Sequence, residues 1–180
     1  MSDKNAIVAV YDTHAEAEYA VKELQRAGFG MKKLSIVGKE YNSEQHIIGY
    51  YNADDRMKSW GKRGAFWGGL WDLLSGAAFF VLPGIGPVVI AGPLAAWVAG
   101  AMEGAAVVGG VSAIGAGLYS LGIPKNRIIK YDSALKADKF LLVAHGTVAE
   151  VMSAKEILEL TEPDALDTHL SEEPGALSAA

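Results

Sequence analysis

The sequence predicts an α+β fold: a ferredoxin-like α/β sandwich interrupted by a Gly/Ala-rich apolar helical hairpin. Strand-like apolar runs alternate with helix signals at both ends of the chain, and two of these strands lead into the same Thr-x-x-Glu signature. Between the two ends, residues 64–124 contain no charged residue except Asp72 and Glu103. Segments of such different composition call for different surroundings.

The first element is "AIVAVYD", a β-type run from Ala6 to Asp12. Thr13 and Glu16 follow as a capping box, in which each side chain satisfies a backbone N–H of the other at a helix start. In the helix after it, Ala17, Ala20, Val21 and Leu24 recur on one face. Gly28 stands where a left-handed C-terminal cap favours glycine. "KLSIVGKEY" is the next strand, and "HIIGYYN" (His46 to Asn52) reads as a third.

Beyond the apolar middle, Pro124 suits the first turn of a helix over "IPKNRIIKYDSALKAD", and "KFLLVAHG" is a buried-strand run. Thr147 and Glu150 form the second capping box, opening "VAEVMSAKEILEL" and echoing Thr13 and Glu16 as a weak internal repeat. The expected organisation is an N-terminal half over 1–55, a hairpin over 56–124, and a C-terminal half over 125–160. The remaining 161–180 is acidic and interrupted by proline, and is expected to be disordered.

The middle segment poses the main question of environment. Residues 64–82 would make a helix of about 28 Å at ~1.5 Å per residue, close to the roughly 30 Å of bilayer hydrocarbon. "PGIGP" (Pro83 to Pro87) breaks it, and Pro93 opens a second arm running to about Gly122. In that arm Ala101, Ala105, Gly109, Ala113 and Gly117 are spaced by four, with Gly100 and Gly104 beside them. One face is thus nearly bare of side chains and suited to close helix packing within the hairpin or between copies, so the expected protein is a homo-oligomer that self-associates through this glycine zipper.

Arg56, Lys58, Lys62 and Arg63 precede the hairpin, with Lys125 and Arg127 after it. By the positive-inside tendency both ends would lie in the cytoplasm. Trp60 joins these cations as an interfacial anchor. Asp72 and Glu103 are the candidate intramembrane ionisable groups. Hydropathy favours insertion into the inner membrane. The alternatives are a cytoplasmic, soluble homo-oligomer, a cage or ring with buried hairpins, and a small oligomer conducting ions or protons past Asp72 and Glu103.

Composition narrows the chemistry. The chain has a net charge of −5 and no cysteine, which argues against nucleic acid as a partner and excludes thiolate sites and disulfides. His14, His46, His145 and His169 lack metal-ligand spacing. No nucleophile motif appears, and "PGIGP" lacks the Lys-Ser/Thr of a phosphate loop. The expectation is a protein without catalytic activity, cofactor or metal.

"PGIGPVVIAGPLAAWVAG", the Gly/Ala run through "GLYSLGIP", Tyr131, Leu135 and "FLLVAHG" together resemble the bacterial general-stress and low-temperature-induced protein family, often described as membrane proteins. The resemblance implies a membrane-linked stress-response protein of structural or regulatory role, with no catalytic residue to assign. It also implies a glycine before the final strand, where this chain has Asp138 and Lys139.

Overall fold

The computed structural model describes residues 5–39, 77–82, 86–103 and 113–171. Its strands are β1 (Asn5–Tyr11), β2 (Leu34–Lys39), β3 (Ala77–Leu82), β4 (Gly86–Ala91), β5 (Phe140–Gly146) and β6 (Ala165–His169). Its helices are α1 (His14–Arg26), α2 (Leu94–Glu103), α3 (Ala113–Ser120), α4 (Lys125–Lys136) and α5 (Val148–Glu159). The described strands form one sheet in the order β3-β4-β2-β5-β1-β6, and every neighbouring pair is antiparallel.

Alternation along β1 divides the core. Ala6, Val8 and Val10 face a layer made by α2, α3 and α4, where Leu94, Val98, Ile114, Leu118, Ile128 and Tyr131 are buried. Ile7, Ala9 and Tyr11 face the opposite layer, where α1 contributes Ala17, Ala20, Val21 and Leu24 and α5 contributes Val151, Ala154 and Leu158. All seven residues of β1 are buried, because the strand is covered on both faces and paired on both edges.

Both capping boxes form. The Thr13 hydroxyl accepts from the Glu16 N–H at 3.3 Å while the Glu16 carboxylate accepts from the Thr13 N–H at 3.1 Å. Thr147 and Glu150 repeat this at 3.3 and 2.9 Å. The repeat extends to the strands. Moving along the chain from Thr13 to Thr147 carries β1 onto β5 and α1 onto α5. The same shift turns the Val8–Val143 pair into the Ala9–Leu142 pair, which is also present. The two strand–helix units are thus related by an approximate twofold axis between β1 and β5.

Helix ends follow their local chemistry. Gly28, at φ +81°, closes α1: its N–H donates to Gln25 O and that of Phe29 to Leu24 O. Gly122, at φ +85°, closes α3 in the same way. At the end of α4 the same pair of bonds forms around Asp138, at φ +64°, with its N–H on Leu135 O and the Lys139 N–H on Ala134 O. The glycine implied by the resemblance belongs at this left-handed position, and aspartate occupies it.

The apolar middle departs from the expected hairpin. Residues 77–82, assigned above to its first helical arm, form β3, and residues 86–91 form β4, which pairs with β2. "AAFFVL" and "GPVVIA" are short apolar runs rich in aromatic and β-branched residues. A place in a sheet satisfies such runs as well as lipid does, and Val88 to Ala91 are buried there. In the second arm, α2 and α3 are about 15 and 12 Å long at ~1.5 Å per residue. No helix among the described residues is long and apolar enough to cross a membrane.

This inserted segment is fastened to the sheet through β2. The buried Ser35 hydroxyl accepts from the Leu94 N–H at 3.1 Å, satisfying a free donor at the start of α2. Gly92, at φ +101°, makes the approach feasible, because a Cβ there would lie 2.2 Å from Leu34 O.

The tail is a second correction. Residues 165–169, expected to be disordered, form β6 and pair with β1. The apolar β1 requires a ladder on both edges, and Asn5 secures the end of β6 by accepting from the Ser171 N–H at 3.0 Å. The expected strand over 46–52 and residues 172–180 lie outside the described residues.

Two stability predictions follow from the helix ends. Asp138→Gly should raise stability by about 0.5–1 kcal/mol in urea unfolding, since relief of a left-handed non-glycine residue outweighs an exposed ion pair with Lys39. Ser35→Ala should lower it by about 1–2 kcal/mol through the lost cap, measured in the same way.

Candidate functional site

The chemistry-bearing groups gather where α4 crosses β6. Asp167 and His169, two residues apart on β6, project to the same face. Above them, α4 buries Tyr131 and places Arg127 and Lys130 at the rim. The Tyr131 hydroxyl donates to Asp167 Oδ2 at 3.0 Å and lies 2.8 Å from His169 Nε2. Because its single proton goes to the carboxylate, the consistent assignment has His169 Nε2–H donating to the phenol oxygen. Lys130 Nζ reaches Asp167 Oδ2 at 3.0 Å and Arg127 reaches Oδ1 at 3.6 Å.

Electrostatics fix the protonation states of this chain of groups. Burial, then the adjacent Asp167 charge, pushes the Tyr131 phenol above its ordinary range, so it stays a neutral donor. At Asp167 burial opposes ionisation, but hydrogen bonds from Lys130 and Tyr131 and the charges of Lys130 and Arg127 outweigh it. The carboxyl is held below its ordinary value. Burial lowers the His169 pKa below 6.5, against the pull of Asp167 and with the help of Arg127 and Lys130. The result is a neutral imidazole and phenol on a charged carboxylate, an arrangement that binds β6 to α4.

Other polar clusters also join elements. Lys33 reaches both oxygens of Glu150 at 2.9 and 2.8 Å, tying the entry of β2 to the start of α5. Lys139 bridges Asp12 at 2.9 Å and Asp164 at 2.6 Å. The Tyr11 hydroxyl lies 2.7 Å from Thr161 Oγ1, whose own proton goes to Leu158 O, so tyrosine is the donor. Burial is the main cause that pushes the Tyr11 phenol up to about 12. Among the described residues no group of three or more His, Asp or Glu is arranged to hold a metal ion.

His145 and His169 stand opposite Ala6 on either side, on one face of the sheet. The Trp97 ring meets His145 edge-on at 5.1 Å and the Tyr131 ring meets His169 at 6.1 Å. His14 begins α1 on the surface.

The residues singled out for packing separate into different settings. A Cβ on Gly117 would lie 3.0 Å from Val98 and 3.1 Å from Leu94, so this glycine lets α3 approach α2 within the chain. Gly100 faces open space. Gly104, Ala105 and Gly109 lie outside the described residues, and Ala113 begins α3. Glu103 ends α2, whereas Asp72 and the interfacial group Arg56, Lys58, Trp60, Lys62 and Arg63 lie outside the described residues. Lys125 sits 5.9 Å from the Tyr119 ring centroid, and Arg127 is engaged with Asp167.

Sequence reading named Tyr131 through the resemblance but missed its partners. The available signal was Asp167 and His169 two apart in "ALDTHL", where alternation is strand-like yet weakly apolar.

Residues 6–80 match the family described as heat induced stress protein YflT domain. The match indicates a stress-response protein. It supports the bacterial stress-protein resemblance, and it spans β1, α1 and β2 and ends within β3. Neither a curated protein nor a solved structure matches the chain.

The cluster generates a pH prediction. His169 binds protons less readily folded than unfolded, so stability should fall as pH drops from about 6.5 towards its lower folded pKa. Asp167 adds a second loss at lower pH, as its depressed folded pKa is passed. His169→Gln should flatten the first phase and leave the second. Urea midpoints measured across pH would show otherwise if both curves coincide.

Proposed function

We propose that the chain is a non-enzymatic stress-response protein of structural or regulatory role, built on a ferredoxin-like core and self-associating through the outer face of α2. The core reading is supported by the strand order β2-β5-β1-β6, with α1 and α5 on one face. The insertion then falls between β2 and β5: it extends the sheet by β3 and β4 and lays α2, α3 and α4 on the other face. The non-enzymatic reading is supported by the polar clusters described above, whose groups hold elements together.

One observation carries the assembly reading. From Leu94 to Met102, α2 has no charged residue, and it leaves Ala96 and Gly100 exposed, with open space at Gly100. A helix apolar all round ordinarily has neighbours on every side. Here a second copy supplies the missing one, and the small residues permit close approach of its backbone.

The test separates assembly from folding. Gly100→Leu should shift the protein to a smaller species in size-exclusion chromatography with light scattering, with no loss of stability in the fold itself, since leucine favours the helix over glycine. Gly117→Leu should instead destabilise the fold by about 1–3 kcal/mol through collision with Val98 and Leu94. A wild-type monomer at high concentration, or a Gly100→Leu assembly of wild-type size, would sink the assembly reading.

A further inference from the structure

We propose that the outer surface of α4, with Tyr119 at the end of α3, is a docking surface for an anionic lipid bilayer, engaged peripherally. This goes beyond the self-association proposed above for α2. The exposed side chains of α4 are Lys125, Asn126, Arg127, Ile129, Lys130, Ser133 and Lys136. Four are cations and none is acidic; Asp132 is half-buried, and Asp167 of β6 accepts both Arg127 and Lys130. In a chain of net charge −5, this is a local reversal of sign.

The apolar groups make lipid the better occupant than another polyanion. Ile129 is 67% exposed and Tyr119 58% exposed. At ~100° per residue, Lys125, Ile129 and Lys136 fall within about 40° of one another, with the half-buried Asp132 on the inner edge of this stripe and Lys130 on its outer side. The isoleucine is therefore flanked by cations on a helix lying flat on the domain. The Lys125 ammonium lies over the exposed Tyr119 ring, adding an aromatic group beside the same cations. Cations at headgroup level with aliphatic and aromatic groups beneath them are what an interfacial helix presents to a membrane. A nucleic acid would use the charge and leave Ile129 in water.

The full-length protein, sedimented with vesicles of phosphatidylcholine alone or mixed with phosphatidylglycerol, tests this directly. Binding is expected to the anionic vesicles and not the zwitterionic ones, and to weaken with salt. Lys125→Gln should weaken it by about fivefold, the cost of one cation at an anionic surface. Ile129→Glu should abolish it. Both positions are exposed, so thermal unfolding should stay at the wild-type temperature. Met152→Glu, an exposed apolar position on α5 in the opposite layer, should leave binding intact.

Equal affinity of Ile129→Glu and wild type, equal loss in Met152→Glu, or absence of wild-type binding would each overturn the proposal. Polynucleotide binding that Ile129→Glu leaves unchanged, with no vesicle binding, would assign the surface to nucleic acid instead. Oligomeric state is reported separately by Gly100→Leu.

Discussion

The pairing of β1 with β5 is the constraint on which the rest of the structure depends. Seven residue pairs run from Asn5–Gly146 to Tyr11–Phe140, joining segments from opposite ends of the chain. Both strands are almost wholly apolar, so their peptide groups must find partners within the sheet. A slip of one residue would send Val8 and Val10 into the α1–α5 layer and Ile7 and Tyr11 into the other. The repeated capping boxes limit that freedom. Each fixes where a strand ends and a helix begins, and thereby sets the two units in their twofold relation.

Once this pair is fixed, its outer edges must be closed. On the β1 edge, β6 is a weak strand with half-buried residues throughout. It is held by side chains beyond its own ladder: Asp167 and His169 beneath α4, and Ser171 on Asn5. On the β5 edge, β2 recruits β4 through its ladder and α2 through Ser35. A hydrogen bond to a charged group contributes about 1.5–3 kcal/mol. The Tyr131–Asp167 contact is of this kind, and it joins the C-terminal strand to the helix that follows the inserted segment.

Where local chemistry decides the conformation, it was readable in the residues. Thr13, Glu16 and Gly28 fixed both ends of α1, and Ala17, Ala20, Val21 and Leu24 proved to be its buried face. The strand "FLLVAHG" and the second capping box were equally plain. The apolar middle was less legible because absence of charge reports burial without naming what buries it. Residues 77–82 and 86–91 could satisfy that pattern in lipid or in a sheet, and only the pairing of β3 with β4 and of β4 with β2 decides. The tail misled for the opposite reason. Its acidic composition reads as solvated, while Asp167 is drawn into the fold by Tyr131 and Lys130.

Glycine in this chain illustrates why a spacing pattern alone does not define an interface. Gly117 belongs to the series spaced by four and Gly100 lies beside it, and of the two it is Gly117 that meets a neighbour among the described residues. In one continuous helix a spacing of four drifts by ~40° per step, about 160° from Ala101 to Gly117. With α2 and α3 packed against each other, Gly117 is used where the two helices touch, and Gly100 faces outward. The inward glycine sets how deeply Leu94 and Val98 can lie against α3, and so belongs to folding. The outward one has no such duty. Glycine there lowers helix propensity by about 1 kcal/mol relative to alanine, with no return from packing in the monomer. On the self-association proposed above, Gly100 is where a second copy would come close to α2.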